Sequence, residues 1–160
     1  MRKIKKIAVV LAMIAMLAVL AACGAASITR PIAEEGKDMV TVEGTCSISR
    51  EGDVLKVSVS TNLMDGAAMK VTIDSYNGDQ LAAKYYTKAG DNFYVEFDID
   101  PEWSGIVYGT MTCEPHANGD HTEEIYEAYG DNFQNIEGVD VLYNLTEGNY
   151  LVLQSEGLEL

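Results

Sequence analysis

Apolar and polar residues alternate along most of the chain after residue 39, the pattern of β-strands with one buried face. The clearest case is 54–60, where leucine and valine alternate with lysine and serine. A first strand is predicted from residue 39 onward. Similar alternation or short apolar runs predict further strands at 69–73, 81–87, 95–100, 106–113, 139–143 and 150–153.

Turn-forming residues separate these runs, and no helical pattern lies between most of them. Asn77-Gly78 is typical of a tight hairpin turn, and Glu51-Gly52-Asp53 and Ala89-Gly90-Asp91-Asn92 are further turns. Strands spaced by about 10 to 14 residues predict an all-β fold, an antiparallel sandwich of about seven to eight strands. The one helical pattern is 122–129, with Thr122 as its N-cap.

The first 22 residues have the pattern of an export signal. Four basic residues, Arg2, Lys3, Lys5 and Lys6, precede an apolar run at 7–20. The run is too short to cross a membrane comfortably, since a spanning helix needs about 20 apolar residues. We therefore predict a removed signal rather than a transmembrane anchor.

The end of this signal, Leu20-Ala21-Ala22-Cys23, resembles the lipobox of bacterial lipoproteins. The resemblance implies cleavage before Cys23 and a diacylglycerol on its thiol, which holds the chain at the extracytoplasmic face of the cell membrane. Residues 23–38 then form the anchor and tether, and 39–160 the domain. The alternatives are an ordinary signal with an Ala-x-Ala-like cleavage site and a retained N-terminal helix.

Charge limits the partners of the mature chain. Cleavage removes four of the 11 basic and none of the 25 acidic residues, which leaves a formal charge of −18. This charge excludes nucleic acid, whose phosphates require a basic surface. It also disfavours contact between the domain surface and anionic lipid, so the lipid at Cys23 is the expected membrane contact. Solubility and mutual repulsion are the simplest reason for such a charge.

Residues 61–67, Thr-Asn-Leu-Met-Asp-Gly-Ala, resemble the Thr-Asn-Leu-Pro-Asp-Gly-Thr turn of an Ig-like domain found in uncharacterised exported proteins of Firmicutes. Residues 130–133 and 137–138 are similar to a Gly-x-Asn-Leu-x-Gly-like segment near the end of that domain. Met64 and Ala67 depart from the turn pattern. The resemblance covers about 57–142 and implies an Ig-like β-sandwich, with no activity attached.

Cys46 and Cys113 remain after lipidation, in the first and sixth predicted strands. Export to an oxidising space predicts a disulfide between them. Such a bridge would stabilise the domain by about 4 kcal/mol on the chain-entropy model. The alternative is a pair of buried free thiols.

Residues 114–121 contain both histidines, His116 and His121, together with Gly and Pro, and are predicted to form a solvated loop. With Glu114, Asp120 or Glu123 they offer metal-ligand atoms, but in no recognised spacing. The sequence has neither a nucleophile-elbow motif nor a phosphate-binding loop. We therefore predict a protein without catalytic activity. The alternative is a metal-dependent envelope enzyme or accessory subunit that uses this loop.

Two features are candidates for ligand binding. Trp103 and the nine tyrosines include rings that would stack on sugars if exposed, although most such rings fill cores. Glu96, Asp98 and Asp100 share the outer face of one predicted strand, at about 6.6 to 6.8 Å between alternate residues. Calcium would relieve the repulsion among their carboxylates if neighbouring residues completed the ligand set. The alternative is a solvated acidic face.

Taken together, these patterns predict a non-enzymatic binding or interaction module at the cell envelope. It would contact a protein or the cell wall through a face or an edge of the sandwich. No cofactor other than calcium is expected.

Overall fold

The computed structural model describes residues 33–116, 119–144 and 147–160. The predicted signal, Cys23 and the tether up to residue 32 lie outside the described residues. In the part of the chain that the structure describes, no helix is long and apolar enough to cross a membrane.

The described residues form eleven strands and one short helix, α1. The strands are β1 (Val40–Thr41), β2 (Gly44–Glu51), β3 (Val54–Thr61), β4 (Ala68–Ser75), β5 (Gln80–Thr87), β6 (Asn92–Asp98), β7 (Ile106–Cys113), β8 (Ile136–Glu137), β9 (Val141–Asn144), β10 (Gly148–Gln154) and β11 (Leu158–Glu159). Helix α1 (Glu123–Tyr129) lies between β7 and β8.

Two antiparallel sheets pack as a β-sandwich. The smaller sheet has the order β2-β3-β6. The larger has the order β5-β4-β7-β10-β9, and β11 also pairs with β7. The two-residue strands β1 and β8 form a separate parallel pair.

The predicted antiparallel sandwich is confirmed, and so is the short helix with Thr122 at its N-cap. Eight of the strands in the described residues contain four residues or more, in line with the seven to eight predicted. The first predicted strand, from residue 39 onward, is divided into β1 and β2. Strands β8 and β11 were not predicted because two residues are too few to show an alternation. The β1–β8 pair departs from the antiparallel prediction.

Alternation in the strands builds the core between the sheets. In β6, Phe93, Val95 and Phe97 are buried while the residues between them are exposed. They lie directly opposite three buried residues of β3, namely Val59, Val57 and Leu55. Each buried side chain of this size contributes roughly 1.5–3 kcal/mol. Pro31–Leu160 is one compact unit of the chain, and its described residues supply a hydrophobic core of their own.

The turn that resembles the Ig-like domain is held by its own polar side chains. The Thr61 hydroxyl donates to the carbonyl of Glu43. The Asn62 side chain accepts from the Glu43 N–H and donates to the carbonyl of Thr41, at 2.8 and 3.0 Å. These bonds fix the chain entering β2 against the end of β3.

The second half of the same turn contacts two distant elements. The Asp65 carboxylate accepts from the Lys88 ammonium at 3.1 Å and from the Gly90 N–H at 2.9 Å. These two hydrogen bonds hold the pKa of Asp65 below its usual value. The Met64 N–H donates to the hydroxyl of Tyr129 in α1 at 2.8 Å. The turn is therefore structural, because its polar groups join β2, α1 and the segment after β5.

The last residues of the predicted tether, 33–38, lie against the domain. The Glu34 N–H donates to the side chain of Asn135 at 2.8 Å, and the Gln134 amide donates to the Glu34 carboxylate. The Lys37 ammonium donates to the carbonyl of Glu127 at 3.0 Å. The domain therefore includes residues that the sequence pattern assigned to the tether.

Candidate functional site

The outer face of the three-stranded sheet carries mainly small hydroxyl side chains. Directly opposite residues of an antiparallel sheet share a face, so the register defines cross-strand rows. We call this surface the hydroxyl face. Its rows are Thr45–Ser60–Asn92, Ser47–Ser58–Tyr94 and Ser49–Lys56–Glu96.

Two shallow depressions lie along this surface. One, of about 390 Å³, is lined by residues of all three strands, including Ser47, Ser58 and Tyr94. The other, of about 540 Å³, lies toward the Thr61–Asn62 turn. Thr45 and Ser60 line both depressions, so the two are neighbours on this surface, and together we call them the groove.

Tyr94 is the aromatic ring that lines this groove and remains exposed. Its side chain is 57% exposed, although it stands in a strand whose alternate residues are buried. The Lys56 ammonium lies 4.2 Å from the ring centroid, a cation–π contact that restricts the ring. Lys56 is also directly opposite Glu96 across the β3–β6 pair. The contact with Lys56 therefore favours one orientation of the exposed ring.

Glu43, Asp91 and Asp140 are among the residues that line the other end of the groove. Their backbones are fixed, because the carbonyls of Glu43, Asp91 and Asp140 accept hydrogen bonds from the Thr61 hydroxyl, the Thr61 N–H and the Val152 N–H. Among the described residues that line this end, none is lysine or arginine. The groove therefore has a hydroxyl-rich middle and a negatively charged end.

The acidic strand predicted for calcium is only partly as expected. Glu96 and Asp98 are exposed on β6, but β6 ends at Asp98, so the prediction that the strand continues to Asp100 is wrong. Asp100 instead accepts a hydrogen bond from the Glu102 N–H. In the described residues, no three His, Cys, Asp or Glu side chains are grouped to hold a metal ion. Calcium binding stays a prediction.

Trp103 is half-buried and packs against the hydrophobic core. It also lines a depression of about 340 Å³ between the edges of β5 and β6. There the Lys84 ammonium donates to the carbonyl of Glu96 and lies 5.2 Å from the centroid of the Phe97 ring. Part of the indole surface is therefore packed against the core, which was the alternative to stacking on a sugar.

His121 is buried, so its assignment to a solvated loop is wrong. It is 6% exposed, and its Nδ1 accepts the N–H of Ala68 at 3.0 Å. Its Nε2 donates to the carbonyl of Glu114 at 2.7 Å, because a carbonyl can only accept. The ring packs against Phe133 and Tyr126, with centroids 4.9 and 5.4 Å away. Burial lowers the pKa of His121, so the neutral form is favoured.

His116 is exposed, and its Nε2 lies 3.0 Å from the side-chain oxygen of Asn132. Because both ring nitrogens of His121 are bonded to backbone groups, a metal ion would have to displace one of those bonds. The arrangement therefore suits a structural role for His121 better than the metal-dependent alternative.

The predicted disulfide between Cys46 and Cys113 is not formed; both residues are free cysteines. The Cys46 thiol donates to the carbonyl of Gly109 at 3.4 Å. Gly109 and Cys113 both lie in β7, four residues apart. At the spacing of a β-strand, Cys113 is therefore about 13 Å from the residue of β7 that Cys46 contacts. Burial raises the pKa of Cys46 to about 11 and that of Cys113 to about 12. Both thiols are therefore protonated and unreactive at neutral pH.

No protein-family model matches the chain, and no curated protein or solved structure is significantly similar to it. The resemblance to the exported Ig-like domains stays a prediction.

Sequence reasoning did not single out the hydroxyl face. A signal for it exists, because the polar positions that alternate with core residues in β2 and β3 are mostly serine and threonine. That signal does not show which strands are neighbours. Asp140 enters the groove from a segment far along the chain, which no local pattern indicates.

Proposed function

We propose that the chain is a bacterial lipoprotein whose domain is a non-enzymatic binding module at the extracytoplasmic face of the cell membrane. The charged and apolar pattern of residues 1–20 and the lipobox-like end at Cys23 support the export and the anchor. The net charge of the mature chain supports a partner other than nucleic acid.

The hydroxyl face is the observation that carries the binding role. Serine, threonine and asparagine side chains each donate and accept hydrogen bonds, so a row of them matches the hydroxyls of a polysaccharide. An exposed tyrosine adds a flat surface for a sugar ring. Of the large hydrophobic side chains that are exposed in the described residues, Tyr94 is the one that lies on β2, β3 or β6. We therefore infer contact with cell-wall glycan rather than docking of an apolar protein surface.

Co-sedimentation of the Pro31–Leu160 domain with purified bacterial cell walls tests the binding role. Tyr94→Ala should reduce the bound fraction, since it removes the exposed ring. Tyr85→Ala is the matched control, because Tyr85 is 65% exposed but lies on β5 of the other sheet. Failure of the native domain to sediment with walls would contradict the proposal, and equal losses in both variants would place the contact elsewhere.

The anchor has a separate test in cells. Cys23→Ala should abolish labelling of the protein by an acyl-chain probe and should block its processing by the lipoprotein signal peptidase. Unchanged labelling of the variant would refute the anchor and leave the wall-binding result unaffected.

A further inference from the structure

The outer face of the larger sheet is the second broad surface of the sandwich, on the side opposite the hydroxyl face. We call it the threonine face. The register places four uncharged residues in one row across β5, β4, β7 and β10, and this central row consists of Ala83, Thr72, Thr110 and Gln154. Tyr85, Ile106 and Leu142 lie on three strands of the same face and are 38% to 65% exposed. The face therefore combines small, uncharged side chains with exposed apolar ones.

The polar groups of the central row already have partners within the face. The Thr72 hydroxyl donates to Oδ2 of Asp74 at 2.8 Å, and the Gln154 amide donates to the Thr110 hydroxyl at 3.4 Å. Thr72 and Thr110 themselves are buried. Burying a polar group costs little when its hydrogen bond is kept, so a second protein surface can cover this row without leaving the two hydroxyls unpaired.

The threonine face is nearly free of charge, in contrast to the rest of the domain. The predicted mature chain has a formal charge of −18. In the central row and the rows on either side of it, the charged residues of the described strands are Lys70 and Asp74 of β4, and their charges cancel. Depletion of charge is typical of the core of a protein–protein interface. Repulsion between two acidic copies of the chain is therefore weakest when these faces meet.

Lys70 and Asp74 make the face complementary to itself. Each lies two residues from Thr72 on β4, about 6.6 to 6.8 Å to either side of the central row. A two-fold axis along the central row packs each strand antiparallel on the same strand of a second copy. Lys70 of each copy then faces Asp74 of the other, as an isologous interface requires. An axis along β4 would instead bring like charges together.

The area of the face is sufficient for a weak dimer. Strands β4, β5 and β7 have eight residues each, which is about 26 Å of extended chain, and the five strands of the sheet span about 24 Å. Because β9 is shorter, the face covers roughly 500–600 Å² per copy, or about 1,000–1,200 Å² for two copies. This area is at the lower end of specific interfaces, so we expect a dissociation constant in the micromolar range.

We propose that the threonine face is the interface of a homodimer, in which two copies pack face to face about a two-fold axis along the central row. The two hydroxyl faces then lie on the outer sides of the dimer and stay accessible. The dimer goes beyond the proposed function and does not depend on it, because wall binding involves the other sheet.

Sedimentation velocity of the Pro31–Leu160 domain, from low micromolar to submillimolar protein, tests the dimer. At about 0.15 M salt, charges more than about 8 Å apart are largely screened, which limits the general repulsion between acidic copies. The native domain should sediment as a monomer at the lowest concentration and as a dimer at the highest.

Charge reversals locate the interface. Lys70→Glu replaces two ion pairs with two like-charge contacts and should raise the dissociation constant at least about tenfold. Adding Asp74→Lys to this variant restores both pairs with reversed sign and should recover most of the affinity. Lys56→Glu is the matched control, because it changes the net charge equally but lies on β3 of the hydroxyl face, and it should leave dimerisation nearly unchanged. Melting temperatures close to that of the native domain confirm that each variant is folded.

A native domain that sediments as a monomer at every concentration overturns the dimer. Equal weakening by Lys70→Glu and Lys56→Glu also overturns it, since general repulsion would then explain the effect. A double variant that dimerises no better than Lys70→Glu contradicts the two-fold axis along the central row and overturns the proposal as well. Weakening by Lys70→Glu alone, with recovery in the double variant, supports it. Co-sedimentation with cell walls tests the proposed function separately.

Discussion

Gly66 in the Thr61–Ala67 turn provides the sharpest test of the structural role of that turn. Its φ is +92°, and a Cβ placed there would lie 2.6 Å from Cγ2 and 2.7 Å from Oγ1 of Thr122. Its N–H donates to the carbonyl of Lys88, and its own carbonyl accepts from the Thr122 N–H. We predict that Gly66→Ala destabilises the domain for two separate reasons.

The first reason is the backbone, since a left-handed conformation costs an L-residue with a Cβ about 1–2 kcal/mol. The second is the contact with Thr122, because overpacking of this kind costs typically about 1–3 kcal/mol. The sum is about 2–5 kcal/mol. For a domain of this size, roughly 4 °C per kcal/mol gives a fall in melting temperature of about 8–20 °C.

Gly78 separates the two effects. Its φ is +86°, and a Cβ at this position would have no neighbour within 4 Å, so Gly78→Ala should carry the backbone cost alone, about 4–8 °C. Thr122→Ala in the Gly66→Ala background should recover part of the loss, because it removes both close atoms. Only the Thr122 Cβ, at 3.2 Å, then remains.

Thermal unfolding followed by circular dichroism measures all four proteins. A Gly66→Ala melting temperature no lower than that of Gly78→Ala would refute the packing of the turn against α1. So would a double variant no more stable than Gly66→Ala.

Three further predictions follow from the buried polar groups. Burial lowers the pKa of His121, so its contribution to stability should be complete above its unfolded pKa of about 6.5 and decrease as the pH falls toward the folded value. Urea unfolding at pH 8 and pH 5.5 should show this decrease in the native domain and a smaller one in the non-titrating His121→Asn. The Lys88 side chain is 2% exposed and is paired with Asp65. Asp65→Asn leaves the buried Lys88 charge without its partner, whereas Lys88→Met removes that charge. Asp65→Asn should therefore lower the melting temperature more than Lys88→Met. The reverse order would contradict the pairing. Cys46 and Cys113 should not react with a thiol reagent at pH 7.5 in the folded domain. In denaturant, two thiols per domain should react. If no thiol reacts in denaturant, the two cysteines form a disulfide and the prediction is wrong.

Local patterns predicted the strands well because side-chain direction alternates along every strand. The bounds of β7, Ile106 and Cys113, are those expected from its apolar run. In β6 the alternation identified Val95 and Phe97 as buried. The same argument fails for β8, whose two residues show no period, and for its pairing with β1, which joins residues that are 96 positions apart.

Positions that depend on neighbours in space were not predictable in this way. His121 lies in a stretch rich in loop-forming residues, yet its burial comes from Phe133, Tyr126 and the N–H of Ala68. The disulfide prediction considered only that Cys46 and Cys113 lie in strands of an exported domain. The register between the two sheets places Cys46 at Gly109 instead.

The sequence by itself determined the pattern typical of an export signal, the acidity of the chain after residue 22 and the set of strands, because each is a property of neighbouring residues or of composition. It also determined which side of each long strand is buried. Only the tertiary structure decided which outer faces come together. The hydroxyl face exists because β2, β3 and β6 are adjacent in one register, and its charged end exists because Asp140 lies beside Glu43 and Asp91. Strand pairing depends on contacts between distant residues, which a periodicity along the chain does not contain.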